Sequence, residues 1–170
     1  MNSINISCVI PTCDREELFK ETLESVLNQS IKPMEIIIVN NGKVNLEDLY
    51  KKSVLIKVFN IINYAGVSQA LNFGASIAEG EYIAFLEDDD LWEKNYIKNL
   101  LDVINPANQI YVSRIDKLYK NKITKYKNAN NKINLKTLFT HNPGINISNL
   151  CVNKQSFINL SGFDTTIPVG

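Results

Sequence analysis

Through the first hundred residues, short β-branched runs alternate with amphipathic stretches. Ile6 to Ile10, Glu35 to Val39, Val54 to Phe59 and Tyr82 to Leu86 read as strands, and the near-continuous apolarity of the second and fourth predicts burial on both faces. Between the first two, Phe19, Leu23, Val26 and Leu27 recur at the spacing of one helix face, with Asp14 and Glu17 spaced as a capping box at its start. Weaker helical patterns cover Leu46 to Lys52, Gly66 to Ala78 and Glu93 to Ile104. The order βαβαβαβ predicts an α/β fold whose mostly parallel sheet carries helices on both faces. After Ile104 the pattern changes to a short antiparallel part. Ile110 to Tyr119, Ile123 to Tyr126 and Ile145 to Val152 read as strands, Leu135 to Phe139 as a helical turn and Lys154 to Leu160 as a short helix.

With 170 residues, 45% of them apolar, the chain can bury one core and reads as one domain. No apolar stretch approaches the ~18 residues of a membrane span, and Met1 to Asn5 lacks the pattern of a signal peptide, so a cytoplasmic address is expected. Cys8 and Cys151 fall in apolar segments and Cys13 in a turn, without a CxxC pair, which predicts reduced and mostly buried thiols.

The zero net charge conceals a dipole along the sequence. Residues 1–113 carry nine Lys/Arg against 16 Asp/Glu, whereas residues 114–136 carry eight against one. The basic stretch from Arg114 to Lys136 suits anionic lipid at the inner face of a membrane or a phosphate-bearing acceptor; it also suits a solvated hairpin. The acidity of the remainder argues against nucleic acid.

Four consecutive carboxylates, Glu87-Asp88-Asp89-Asp90, close the strand-like run ending at Leu86. Adjacent anions repel, and a hard divalent cation such as Mg²⁺ or Mn²⁺ neutralises such a cluster through carboxylate oxygens. The alternative is a solvated acidic turn that caps the helix after Trp92-Glu93. In doubly wound sheets ligands bind beyond the carboxyl ends of the strands. The polar clusters Pro11 to Arg15, Asn40 to Gly42, Asn60 to Asn63 with Gly66, and Glu87 to Asp90 all follow strands and can converge on one cleft.

Taken in order, Val9-Ile10-Pro11-Thr12-Cys13-Asp14-Arg15, Ile36 to Gly42, Ala78 to Asp90 and Gly162-Phe163-Asp164 resemble the family 2 glycosyltransferases over nearly the whole chain. The resemblance implies a GT-A fold and a nucleotide-diphosphate sugar donor. It further implies inverting transfer of a hexosyl or N-acetylhexosaminyl group to a hydroxyl of a glycan or lipid-linked acceptor, assisted by Mn²⁺ or Mg²⁺. Residues 1–104 would form the donor half and 105–170 a partial acceptor half. In the acidic motif Glu87 stands for the usual Asp, Asp89 would bind the metal, and Glu87 and Asp88 would contact the donor ribose or the metal's water shell. Pro11, Thr12, Asp14, Arg15, Asn41, Asn63 and Gly66 would line the nucleotide-sugar site.

Asn41 stands where the family commonly has an Asp that accepts from a pyrimidine N3–H; its amide oxygen accepts that bond too, which keeps a UDP-sugar as the expected donor. Leu71 stands where an Arg often precedes Asn72. Asp14 reads equally as a helix cap, and Arg15 as a solvated charge or a donor contact. Trp92 and Phe85 are expected in the core, and His141 at the surface or the acceptor side. The family's general base usually lies shortly after the Gly-Phe-Asp segment, at a position that here falls beyond Gly170. The expectation is therefore a fragment able to bind donor and metal but poor in transfer. A non-catalytic sugar-nucleotide-binding module is the alternative. No Gly-rich loop follows the first strand, which excludes a nucleotidyltransferase and a dinucleotide oxidoreductase.

Overall fold

A computed structural model describes residues 4–50, 53–61, 66–120, 122–125, 140, 142 and 144–167. The elements are β1 Ile6–Thr12, α1 Glu16–Leu27, β2 Glu35–Asn40, α2 Glu47–Tyr50, β3 Ile56–Asn60, α3 Val67–Ile77 and β4 Tyr82–Phe85. They continue with α4 Tyr96–Val103, β5 Ile110–Val112, β6 Asp116–Tyr119, β7 Lys122–Lys125, β8 Leu150–Asn153 and α5 Lys154–Asn159. The main sheet has the order β3-β2-β1-β4-β8-β5, in which β3, β2, β1 and β4 are parallel and β8 is antiparallel to both its neighbours. The α/β expectation with an antiparallel C-terminal part is therefore met.

Strand alternation divides the core into two layers. Ile6, Cys8 and Ile10 of β1 with Ile36 and Ile38 of β2 face Phe19, Leu23 and Val26 of α1 and Ile97 and Leu100 of α4. Val9, Ile37, Val39, Ile83 and Phe85 face Ala70, Leu71 and Ala75 of α3, with Phe157 of α5 packed alongside. Burying one face alone would leave the other wet, so the apolar runs demand helices on both sides. Phe85 and Trp92 belong to the core, as expected. Leu71 is buried against the sheet, pointing into packing rather than toward a cleft.

The amino ends of the strands carry a polar girdle. Glu35, buried at the start of β2, accepts from Ser7 Oγ at 2.6 Å and from the Glu79 N–H at 2.6 Å. Lys57 Nζ lies 2.8 Å from its other oxygen and 2.6 Å from Glu79. Burial pushes the Glu35 carboxyl up, but the Glu79 N–H, Lys57 and Ser7 together outweigh it and hold the group below its ordinary range. The bonds to Glu35 and Glu79 push Lys57 up to about 12.

The structure revises several boundaries. Val54 is exposed and precedes β3, and α2 is a single turn. The expected strand Ile110 to Tyr119 is two strands, because Asn149 Nδ2 takes the Ser113 carbonyl at 2.8 Å while the Ser113 N–H bonds the Asn149 carbonyl at 2.9 Å. Beyond that clamp, β6 leaves the main sheet and pairs with β7. The expected strand Ile145 to Val152 begins as a 3₁₀ turn, Ile147–Asn149, fixed by a capping box between Asn146 and Asn149. The capping box expected of Asp14 and Glu17 does not form: α1 starts after Arg15 without a side-chain cap. The helical turn expected at Leu135 to Phe139 lies outside the described residues. Cys8 and Cys151 are buried and Cys13 is exposed.

Candidate functional site

The strand order reverses at β1, whose neighbours are β2 on one side and β4 on the other, and that switch point is where a doubly wound sheet opens a crevice. Pro11 is why it opens. The Leu86 N–H donates to the Val9 carbonyl at 3.0 Å, the last rung that joins β1 to β4. The next rung, from residue 11 to the Leu86 carbonyl, needs an N–H that proline lacks. The two chains are released at this point, Thr12 to Arg15 on one side and Glu87 to Asp90 on the other.

Across the gap the side chains meet. Thr12 Oγ1 donates to Asp88 Oδ2 at 2.9 Å, and the Cys13 N–H points at the same oxygen from 3.4 Å. Arg15 Nη1 lies 3.3 Å from Asp88 Oδ1 and 3.0 Å from Asp89 Oδ2. Thr12 and Asp88 are buried polar residues, while Asp89 and Arg15 face solvent. Burial pushes the Glu87 carboxyl above its ordinary range, and the charges of Asp90, Asp89 and Asp88 push it further.

The acidic loop is pinned from behind by residues with no local sequence signal. Ser148 Oγ accepts from the Glu87 N–H at 3.1 Å, and Trp92 Nε1 donates to the Ser148 carbonyl at 3.0 Å. Thr22 Oγ1 of α1 donates to the Asp90 carbonyl at 2.9 Å, and Ser25 Oγ accepts from the Trp92 N–H at 3.2 Å. Four carboxylates in sequence are thus held in a defined turn by long-range bonds that only the fold brings together.

Asparagine amides shape the second loop. Asn40 Nδ2 donates to Val44 O and to Asn60 Oδ1, each at 2.7 Å, and its Oδ1 accepts from the Gly42 N–H at 2.9 Å. Asn60 Nδ2 continues the relay to Asn45 Oδ1 at 2.8 Å. Asp14 joins this loop instead of capping α1: with φ of 54° it turns its carboxylate to the Lys43 N–H, 2.7 Å away. Gly42 allows the approach, since a Cβ there would stand 2.7 Å from the Asp14 backbone nitrogen. The Asn41 N–H donates to Thr12 O at 2.9 Å.

Of the expected site residues, Thr12, Arg15, Asp88 and Asp89 are in direct contact, with Asp14 and Asn41 in the adjoining loop and Glu87 at the root of the turn. Pro11 is buried in β1, and Gly66 stands just before α3 with φ of 101°. Asn63 and His141 lie outside the described residues. So does Gly170, the residue beyond which the general base is expected: the described chain ends at Ile167, and among the described residues Asp164 is the last carboxylate.

The recess between the first two loops, lined by Thr12, Asp14, Arg15, Asn40, Val44 and Leu46, holds only about 10 Å³, room for roughly one water. A larger hollow of about 330 Å³ lies at the sheet edge between α2 and β3, beside Glu47, Asp48 and Tyr50, and carries none of the convergent groups of the crevice. Among the described residues no three His, Cys, Asp or Glu side chains form a ready metal cage. The donor set nonetheless fits a hard cation of the Mg²⁺ or Mn²⁺ kind, which takes one or two carboxylates and completes its shell with water and substrate phosphate.

A parallel sheet opened at its switch point over an acidic turn defines the GT-A class of nucleotide-sugar folds, and solved structures agree. S. aureus TarS 1–349 in complex with UDP-GlcNAc aligns with a TM-score of 0.72 over 93% of this chain and 48% of that one, at 18% identity. The mannosyltransferase PcManGT from Pyrobaculum calidifontis in complex with GDP-Man and Mn²⁺ aligns with a TM-score of 0.67 over 96% and 48%, at 16% identity. The chain belongs to glycosyl transferase family 2, whose sequence pattern matches residues 7–158. It is 32% identical over 136 residues, 75% of its length, to the minor teichoic acid biosynthesis protein GgaB of Bacillus subtilis, and it spans 15% of that protein. It thus covers a small part of this relative and about half of the solved chains.

Proposed function

We propose that this domain binds a nucleotide-diphosphate sugar, a UDP-sugar in the first instance, for inverting transfer of a hexosyl or N-acetylhexosaminyl group to a hydroxyl acceptor in cell-surface polysaccharide or glycan synthesis. The observation that carries the reading is the meeting of Thr12, Arg15, Asp88 and Asp89 at the opened switch point. The uracil and GlcNAc of the TarS ligand and the teichoic acid role in the name of GgaB support the donor and acceptor classes.

On this reading the sugar nucleotide lies across the crevice with its base at the two loops that carry Thr12 and Asn41, whose backbones meet through the Asn41 N–H and the Thr12 carbonyl. Asn41 offers an amide oxygen to a pyrimidine N–H. Asp89 would hold Mn²⁺ or Mg²⁺, with Glu87 and Asp88 toward the ribose or the metal's water shell, and Gly66, just before α3, would stand on the nucleotide side. When bound, the cation stabilises the negative charge that develops on the diphosphate leaving group. Arg15 supplies a second positive charge on the same side. Asp164 spends its carboxylate on the Thr166 N–H and hydroxyl, which argues against it as the general base.

The hairpin β6–β7 supports peripheral contact with an anionic membrane: Lys117, Lys120, Lys122 and Lys125 flank the exposed Leu118, Tyr119 and Ile123. Among the described residues no helix is long and apolar enough to cross a membrane.

Calorimetric titration of UDP, TDP and GDP with and without Mn²⁺, on this chain and on Asp89→Ala, tests the reading. Metal-dependent binding of one nucleotide, abolished in Asp89→Ala, is expected. Binding of none of the three at millimolar concentration with saturating Mn²⁺ would overturn it.

A further inference from the structure

The acidic turn already has a cation of its own. One nitrogen of Arg15 reaches both Asp88 and Asp89, at 3.3 and 3.0 Å. The two contacts are unequal in kind. Asp88 is held independently of Arg15, because its other oxygen takes the Thr12 hydroxyl and faces the Cys13 N–H, and its side chain is 10% exposed. Asp89 is 45% exposed and Arg15 54%, so their contact is a solvent-facing pair of the sort that adds little stability and breaks readily. Arg15 is also rooted at the start of α1, immediately before Glu16, so its long side chain can leave the carboxylates without disturbing the helix or the acidic turn.

We propose that Arg15 is an exchangeable counter-ion: it neutralises Asp88 and Asp89 in the donor-free protein, yields Asp89 to the divalent cation, and transfers its own charge to the donor's diphosphate. This rests on the donor-site reading above and adds an order to it. A cation arriving alone must displace the guanidinium from Asp89 and leave it with Asp88 alone. A cation arriving with a nucleoside diphosphate displaces it onto phosphate oxygens, which the planar guanidinium grips by paired hydrogen bonds. Metal alone therefore binds weakly, metal and nucleotide bind with positive coupling, and Arg15 is the donor-binding residue that links them.

The test is Mn²⁺ binding itself, read from the electron paramagnetic resonance of the free ion in low-salt buffer, on the wild-type chain, Arg15→Gln and Arg15→Lys. Circular dichroism confirms that each variant is folded. Arg15→Gln is expected to bind Mn²⁺ alone about tenfold more tightly, because a competing unit charge beside Asp89 is gone. It is expected to lose most of the strengthening that UDP confers on Mn²⁺ binding in the wild type. Arg15→Lys, which keeps the charge but not the fork, should retain weak Mn²⁺ binding and part of the coupling. Unchanged or weaker Mn²⁺ binding by Arg15→Gln would overturn the inference. If UDP and GDP bind the wild type while Arg15→Gln leaves Mn²⁺ affinity unaltered, the donor site stands and the counter-ion falls. If Arg15→Gln tightens Mn²⁺ but neither protein binds a nucleotide, the competition stands and both the coupling and the donor site fall.

Discussion

Asn72 and Phe163, 91 positions apart, exchange two hydrogen bonds: Asn72 Nδ2 donates to the Phe163 carbonyl at 2.8 Å, and Asn72 Oδ1 accepts from the Phe163 N–H at 2.8 Å. The pair fastens the Gly162-Phe163-Asp164 segment to the middle of α3. Gly162, with φ of 70°, leaves the space the amide needs, since a Cβ there would fall 2.4 Å from Asn72 Oδ1. The Phe163 ring then packs with Phe85 and Phe157 at centroid distances of 5.3 and 5.1 Å, which ties the segment to the floor of β4.

Asn72→Ala should cost about 2 kcal/mol of stability, because two peptide groups lose their partner and Asn72 itself loses both bonds. Gly162→Ala should cost a similar amount by strain at positive φ and collision with the amide. Urea denaturation measures both. If the two routes act on one clamp, the double variant will fall well short of the sum.

Thr12→Val removes the hydroxyl that holds Asp88 Oδ2 while keeping the shape of the side chain. Stability should drop by about 1 kcal/mol, and Mn²⁺-dependent nucleotide binding should weaken by about fivefold as Asp88 loses its fixed direction. Calorimetry on Thr12→Val and Thr12→Ser separates the hydroxyl from the methyl: the serine variant is expected to behave nearly as wild type.

The Ser7, Glu35, Lys57 and Glu79 girdle predicts a stability plateau with two shoulders. Glu35 is held below its ordinary 4.5, so its contribution is present above that pH and is lost as pH falls through the lowered value. Lys57 is raised from 10.5 to about 12, so its contribution is complete below 10.5 and is lost as pH rises through about 12. Glu35→Gln should flatten the acid shoulder and cost about 2 kcal/mol at neutral pH, since it leaves a buried donor set facing a neutral amide. Chemical denaturation repeated from about pH 3 to about pH 12 gives the profile.

Cys13 should be the one thiol that reacts with a maleimide in the folded protein. Burial pushes Cys151 up to about 12 and Cys8 well above its ordinary value, so both are sterically closed and protonated, whereas Cys13 is exposed on the loop that faces Asp88. Mass spectrometry should find a single adduct. UDP with Mn²⁺ is expected to slow its formation several-fold if the donor covers the crevice.

The β/α alternation, the two-faced burial of the strands and the residues at their carboxyl ends are legible in the sequence because each is written in local periodicity. Thr12, Arg15 and Asp88 stand out one by one from neighbouring motifs; that they touch one another does not, because the contacts span 73 to 76 positions. Ser148, Thr22 and Ser25 give no signal at all, since a lone hydroxyl in an apolar helix or strand looks the same whether or not a carbonyl lies opposite. Asp14 misleads for the reason that makes capping rules useful. Asp three residues before Glu is a good local cap, but the loop after β2 supplies a backbone N–H that Asp14 reaches by turning to positive φ. The abundance of asparagine has no readable meaning in the sequence. In the structure Asn40, Asn45, Asn60, Asn142, Asn146 and Asn149 each satisfy backbone or amide groups where strands end and turns begin.

Pro11 also has a bearing on how reliably the chain assembles. A growing parallel pair tends to zip onward for as long as each strand offers its next amide, and Leu86 is followed by carboxylates that would gain hydrogen bonds by being drawn alongside Thr12. The imide nitrogen stops that process after one fixed rung, so an over-extended or two-residue-slipped pairing of β4 on β1 lacks a bond the native alignment never needed. A single proline thereby marks where β1 and β4 part, and beyond it the two strand tips are joined only through side chains.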